Sequence, residues 1–103
     1  MEINYFHNDI RSFIYSLEDA VGAKVDSTIN LLSIEEYHLS MPYSKRIEKD
    51  LYELRISSLQ NIRVFYTFYG GEIVLLHAIH KKTQQLAAKD LFTARQRLKF
   101  LHS

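Results

Sequence analysis

Between Lys45 and Lys82 the sequence gathers side chains that carry positive charge or move protons: Lys45, Arg46, Glu53, Arg55, Arg63, His80, Lys81 and Lys82, with His77 and several tyrosines among them. Such a set suits cleavage of RNA by its own 2′-hydroxyl. The protein need only accept one proton, donate another and neutralise the charge that builds on the phosphorane, and each acid or base contributes about 10²–10⁴-fold. Arg63 is the candidate phosphate holder, His80 or Glu53 the candidate proton acceptor, and Lys82 completes the catalytic set. Lys45, Arg46, Arg55 and Lys81 are candidate contacts to the RNA backbone.

Other chemistries are disfavoured. The chain has no cysteine, which removes disulfides, thiolate metal sites and cysteine nucleophiles and fits a reducing cytosol. His77 and His80 lie three apart on a predicted strand, so their rings point to opposite faces and cannot share an ion; neither a metal nor another cofactor is expected. There is no Gly-x-Ser-x-Gly elbow, no phosphate-binding glycine loop and no dinucleotide fingerprint. The N-terminus carries no export signal, and the longest aliphatic run, Ile73 to Leu76, is far too short to span a membrane.

These residues need a scaffold, and 103 residues with 47% hydrophobic and 24% charged side chains suit one globular domain over 1–103. A chain of this size supports one real core and a shallow groove. The formal net charge is only +1, yet its distribution is lopsided: residues 1–44 carry −5 and residues 45–103 carry +6. A polyanion would meet a cationic surface built by the second half.

Residues 2–6 alternate weakly and predict a first strand. Ile10, Phe13, Ile14, Leu17 and Val21 follow helical spacing behind a cap at Asn8 or Asp9; Gly22 interrupts, and Val25, Ile29 and Leu32 restore a stripe to about Glu36. Tyr37 to Lys49 reads as a loop. Leu51 to Ile56, Ile62 to Tyr69 and Ile73 to His80 read as strands, the last two joined by Gly70-Gly71, which suits a two-residue primed turn. From about Ala88 the chain ends as an amphipathic helix. The order β-α-α-β-β-β-α predicts an α+β fold, a helical pair packed on an antiparallel sheet.

The Gly-Gly turn sets Tyr69 opposite Glu72. Unbroken alternation from there puts Phe65 opposite Leu76 and Arg63 opposite Ala78, with His80 on the Arg63 face and His77 turned to the core with Val64. Tyr52, Leu54, Ile56, Ile62, Val64, Tyr66, Phe68, Ile73, Leu75 and Ile79 then form the face under the helices. If Ile56 pairs with Ile62, Arg55 faces Arg63 and Glu53 falls beside Phe65. Two opposed arginines repel unless an anion lies between them; Glu53 in an internal Arg–Glu–Arg arrangement and an RNA phosphate are both open answers.

The segments Lys49-Asp50-Leu51-Tyr52-Glu53-Leu54-Arg55-Ile56, Ile62-Arg63-Val64-Phe65-Tyr66-Thr67-Phe68 and Ile73 to Gln84, with its Lys81-Lys82-Thr83-Gln84 run, resemble the signature of RelE/ParE-superfamily toxins, closest to the HigB and phage-derived branch. The resemblance covers nearly the full chain and implies the RelE-like toxin fold. It implies a type II toxin–antitoxin toxin, a cytoplasmic mRNA interferase that inhibits translation by cutting mRNA on the ribosome. Its implied partners are the ribosome and mRNA and a HigA-like helix-turn-helix antitoxin, which alone would contact operator DNA; no membrane is involved. By motif position it carries over Glu53, Arg55, Arg63, Lys81 and Lys82, and Tyr66 as a pattern position that the register sends to the core. Leu86-Ala87-Ala88 stands where the family commonly has a proline. The alternatives on the same fold are a non-catalytic ParE-like gyrase inhibitor and an inactive homologue acting only in a repressor complex.

Overall fold

Runs of β-branched and aromatic residues favour extended chain, whereas apolar residues at three- and four-residue intervals favour helix. The computed structural model, which describes Met1–Ser103, follows that division closely. Its elements are β1 (Ile3–Tyr5), α1 (Asn8–Tyr15), α2 (Asp19–Glu35), a 3₁₀ turn (Glu36–His38), β2 (Ser44–Glu48), β3 (Leu51–Ser57), β4 (Asn61–Tyr69), β5 (Glu72–His80) and α3 (Ala88–Leu101). The class is α+β as expected. The sheet, of order β1-β5-β4-β3-β2, is mixed rather than antiparallel, because β1 pairs in parallel with β5. No helix is long and apolar enough to cross a membrane.

Three expectations about the elements are corrected. The break between the first two helices falls at Ser16–Glu18, and Gly22 lies inside α2. A methyl group there would sit 3.6 Å from the Ile14 carbonyl oxygen, an ordinary contact, so the glycine is not a helix end. The cap of α1 is His7, whose Nδ1 accepts from the Asp9 amide at 3.0 Å. Within the expected loop, Ser44–Glu48 forms an edge strand on β3, with Lys45 opposite Glu53 and Arg46 opposite Tyr52. Its polar sequence conceals it, since an edge strand tolerates charge and needs little hydrophobic alternation.

The helical pair covers one face of the sheet. Ile10, Ile14, Val21, Val25 and Leu32 pack there on Leu54, Ile56, Ile62, Val64, Ile73 and Leu75. On the other face, α3 buries Ala94 and packs Leu91, Leu98 and Leu101 on Leu51, Phe65, Val74, Leu76 and Ile79. The turn at Gly70 and Gly71 takes φ of 60° and 77°, the positive values a primed turn requires. Tyr69 opposes Glu72, and Thr67 opposes Val74.

Farther along the hairpin the pairing changes phase. Tyr66 opposes Leu75 but Phe65 opposes His77, so Leu76 is an extra residue in a β-bulge. Arg63 therefore faces Ile79 instead of Ala78, and Ile79 moves to the α3 face while Ala78 joins the core under α1 and α2. His77 and His80 exchange the faces expected of them. Arg97 of α3 holds the bulge: its Nη1 donates to the Leu76 carbonyl at 2.8 Å and to Asp9 Oδ1 at 3.0 Å. That link ties β5 to the start of α1.

Candidate functional site

The uncovered end of the α3 face is where β3 and β4 place charge. Arg55 stands opposite Arg63, and Glu53 opposite Phe65, in the register expected from the sequence. Lys45 joins them from β2 as the partner of Glu53. Past the end of β5, the Lys81 amide donates to the Asn61 carbonyl at 2.8 Å, carrying the ladder one residue further. This anchors the connection to α3 across the end of the sheet and brings Lys81 and Lys82 above the arginines.

The result is a trough. One part, about 420 Å³, is lined by Arg55, Asn61, Arg63, Lys81, Lys82, Thr83 and Gln84, with no apolar side chain and no acid. The adjoining part, about 210 Å³, is lined by Lys45, Ile47, Glu53, Arg55, Lys81, Gln84 and Leu86.

Arg63 forms the floor. It is 5% exposed, and Glu53 beside it is 4% exposed. Burial pushes the Arg63 pKa down, Glu53 opposes that shift and Arg55 adds to it, but a guanidinium starts high enough to stay charged. Arg63 Nη1 donates to the Ile62 carbonyl at 3.1 Å, while Nε has no hydrogen-bond partner. Glu53 Oε1 lies 3.6 Å from Arg63 Nε and 3.5 Å from Arg55 Nε, so one carboxylate oxygen is shared loosely between two guanidiniums. A buried cation with an orphaned donor is costly. The internal Arg–Glu–Arg arrangement thus exists, but its contacts are long and Arg63 also lines the trough, where an anion would pair with its guanidinium.

Of the sequence-derived candidates, the fold brings together Glu53, Arg55, Arg63, Lys45, Lys81 and Lys82. It separates two. Arg46, paired with Tyr52, is exposed on the opposite face. His80, expected beside Arg63, pairs instead with Ile62; its ring lies edge-on to Phe13 of α1, 5.1 Å between centroids. The Leu76 bulge is the reason. Tyr66 is fully buried on the helical-pair face, where its hydroxyl is hydrogen-bonded to Ser44 Oγ at 2.5 Å and its ring stacks on Tyr52; burial raises its pKa, against the Ser44 hydrogen bond.

One residue escaped the sequence reading. His77 lies on the Phe65 side of the sheet, its ring parallel to that of Phe65, and its Nε2 is 3.0 Å from Asp90 Oδ1 in the first turn of α3. Local alternation assigns it to the core, and only the bulge reverses that assignment. Asn61, Thr83 and Gln84, polar residues of the trough wall, carried no spacing signal because two of them belong to an irregular connection.

A search of curated proteins finds no match to the chain. The family model described as phage derived protein Gp49-like matches residues 12–99. That span runs from α1 to the last turn of α3 and includes every residue of the trough. With the match extending over most of its length, the chain belongs to the Gp49-like phage-derived family, a toxin-like family.

Proposed function

We propose that this protein is the toxin of a type II toxin–antitoxin system, a HigB-like member of the RelE/ParE superfamily that cleaves mRNA on the ribosome. The observation that carries the reading is Arg63, a buried cation only loosely paired with Glu53, at the floor of a trough walled by Arg55, Lys81 and Lys82. A phosphodiester supplies what that floor lacks.

In the proposed reaction the RNA 2′-oxygen attacks the adjacent phosphorus and the bond to the 5′-oxygen breaks, leaving a 2′,3′-cyclic phosphate and a 5′-hydroxyl. Arg63 holds the non-bridging oxygens as their charge grows, and Arg55 and Lys81 add to the positive field. Glu53, beside the guanidiniums, accepts the 2′-hydroxyl proton, and Lys82 supplies a proton to the leaving oxygen. Lys45 extends the cationic wall toward the next phosphate. The acidic first half forms the helical layer behind the sheet and biases a polyanion toward this side. A helix-turn-helix antitoxin in the same cytoplasm would neutralise the activity.

The test is induction of the chain without its partner. Growth should stop and mRNAs should be cut within reading frames, and co-expression of the helix-turn-helix protein should restore both. Intact mRNA with normal protein synthesis would overturn the proposal, and loss of DNA supercoiling with intact mRNA would replace it with gyrase inhibition.

A further inference from the structure

A cavity of about 480 Å³ lies on the other side of the connection between β5 and α3 and shares Lys81, Lys82 and Thr83 with the trough. It follows the edge of β5 beyond Leu75, where pairing with β1 ends. Its walls differ from those of the trough. Phe13 and Leu86 present apolar surface, Lys82 and Lys89 add positive charge, and the polar element is the His77–Asp90 pair. The volume falls in the range of small-molecule sites, and apolar walls with few fixed polar groups are what such sites require.

Resting on the reading that the trough holds an RNA phosphate, we propose that this cavity takes the base of a neighbouring nucleotide and that the base is guanine. Asp90 decides the choice. His77 is the hydrogen-bond partner of its Oδ1, which fixes the carboxylate in place and leaves acceptor capacity for a ligand. Guanine carries two adjacent donors, the ring N1–H and the exocyclic amino group, and these match a carboxylate. Adenine and cytosine place an acceptor next to their amino group, and uracil flanks its single N–H with two carbonyls. Phe13 and Leu86 would cover the faces of the base, while Lys82 and Lys89 meet its phosphate.

The experiment titrates the full chain, followed by amide NMR, with the 5′-monophosphates of guanosine, adenosine, cytidine and uridine and with inorganic phosphate. Guanosine monophosphate should bind about tenfold more tightly than the other nucleotides, the discrimination expected of one good two-point contact, and should shift residues of both β5 and α3. Asp90→Asn should abolish the preference. Because Asp90→Asn also disturbs His77, Ala87→Trp provides a second variant: Ala87 is exposed at the cavity wall, and the indole should exclude the nucleotide without touching the core.

Equal binding of the four nucleotides, or undiminished guanosine monophosphate binding by Ala87→Trp, would overturn the proposal. Its failure is distinct from failure of the nuclease reading. Cleavage that depends on Arg63 while the four nucleotides bind alike removes only the base pocket, whereas guanosine preference in a protein that cleaves no mRNA removes only the nuclease.

Discussion

The two faces of the sheet solve opposite problems with the same strands. Under α1 and α2 the buried side chains are almost all apolar and form the larger of the two clusters. Under α3 the covered part is a small apolar cluster, and the part beyond the helix holds buried Glu53 and Arg63 with incomplete partners. The helical-pair face is where most of the core lies; the α3 face carries a buried cation that is incompletely paired. The contrast is one of cover: the buried charges lie on the face that a single helix covers.

The sharpest way to break this contrast is Arg63→Met, which keeps volume but removes the charge. Cleavage should fall by about 10²–10³-fold, as when a principal charge-stabilising donor is lost. The melting temperature should also fall, because Glu53 stays buried with only the 3.5 Å contact to Arg55, whereas changing Glu53 to Met as well should hold or raise it. Arg63→Lys should recover little activity, since the two-point fork is lost. A variant that unfolds while its folded fraction stays active would invert the roles assigned to the two faces.

The reciprocal change is Leu75→Ala on the helical-pair face. It should cost about 2–5 kcal/mol in denaturant unfolding through the cavity it leaves, with cleavage per folded molecule nearly unchanged.

The histidines sharpen the comparison at smaller scale. His77→Ala should cost about 1 kcal/mol through the lost Asp90 hydrogen bond, whereas exposed His80→Ala should change stability by less than about 0.5 kcal/mol. Gly22→Ala should raise stability by about 0.5–1 kcal/mol, because the added methyl meets the Ile14 carbonyl oxygen and Leu17 Cβ at ordinary contact distances of 3.6 and 4.0 Å.

The smallest expected effect is a pH limb. Hydrogen bonding and charge from Arg97 hold the Asp9 carboxyl below its ordinary value near 3.8. A depressed carboxylate contributes stability above its unfolded pKa, and that contribution disappears as pH falls through the lower folded value. Asp9→Asn should therefore lower stability slightly across the neutral region and converge with the parent curve below about pH 4, a small effect given the half-exposed position of Asp9.

Legibility in the sequence was uneven for physical reasons. β3, β4 and β5 could be read because buried strands demand β-branched and aromatic residues, and the Gly70-Gly71 turn located their hairpin. The pairing of Arg55 with Arg63 followed from Ile56 and Ile62. β2 was hidden because Ser44–Glu48 satisfies its backbone at an edge without an apolar stripe. Gly22 misled because glycine signals a helix end only when its φ or its neighbours require one, and neither does here. The largest error, the side of the sheet given to His77, His80 and Ile79, came from assuming unbroken alternation across Leu76.

That bulge gives the hairpin a parity. On the turn side of Leu76, odd and even positions of β5 have one meaning; on the far side they have the other, like two rulers joined half a unit out of step. Removing Leu76 would close the bulge into an unbroken ladder, with Tyr69 still opposite Glu72, His77 opposite Phe65, Ala78 opposite Val64 and Ile79 opposite Arg63. The bulge, and not the length of the strand, sets those faces: the same β5 paired without a bulge would set Ala78 against Arg63 and turn Ile79 toward α1 and α2. Deleting Leu76 should therefore cost the burial of one side chain and the Arg97 contact to its carbonyl without reversing a face, whereas insertions in the exposed Ser58–Gln60 turn should cost little.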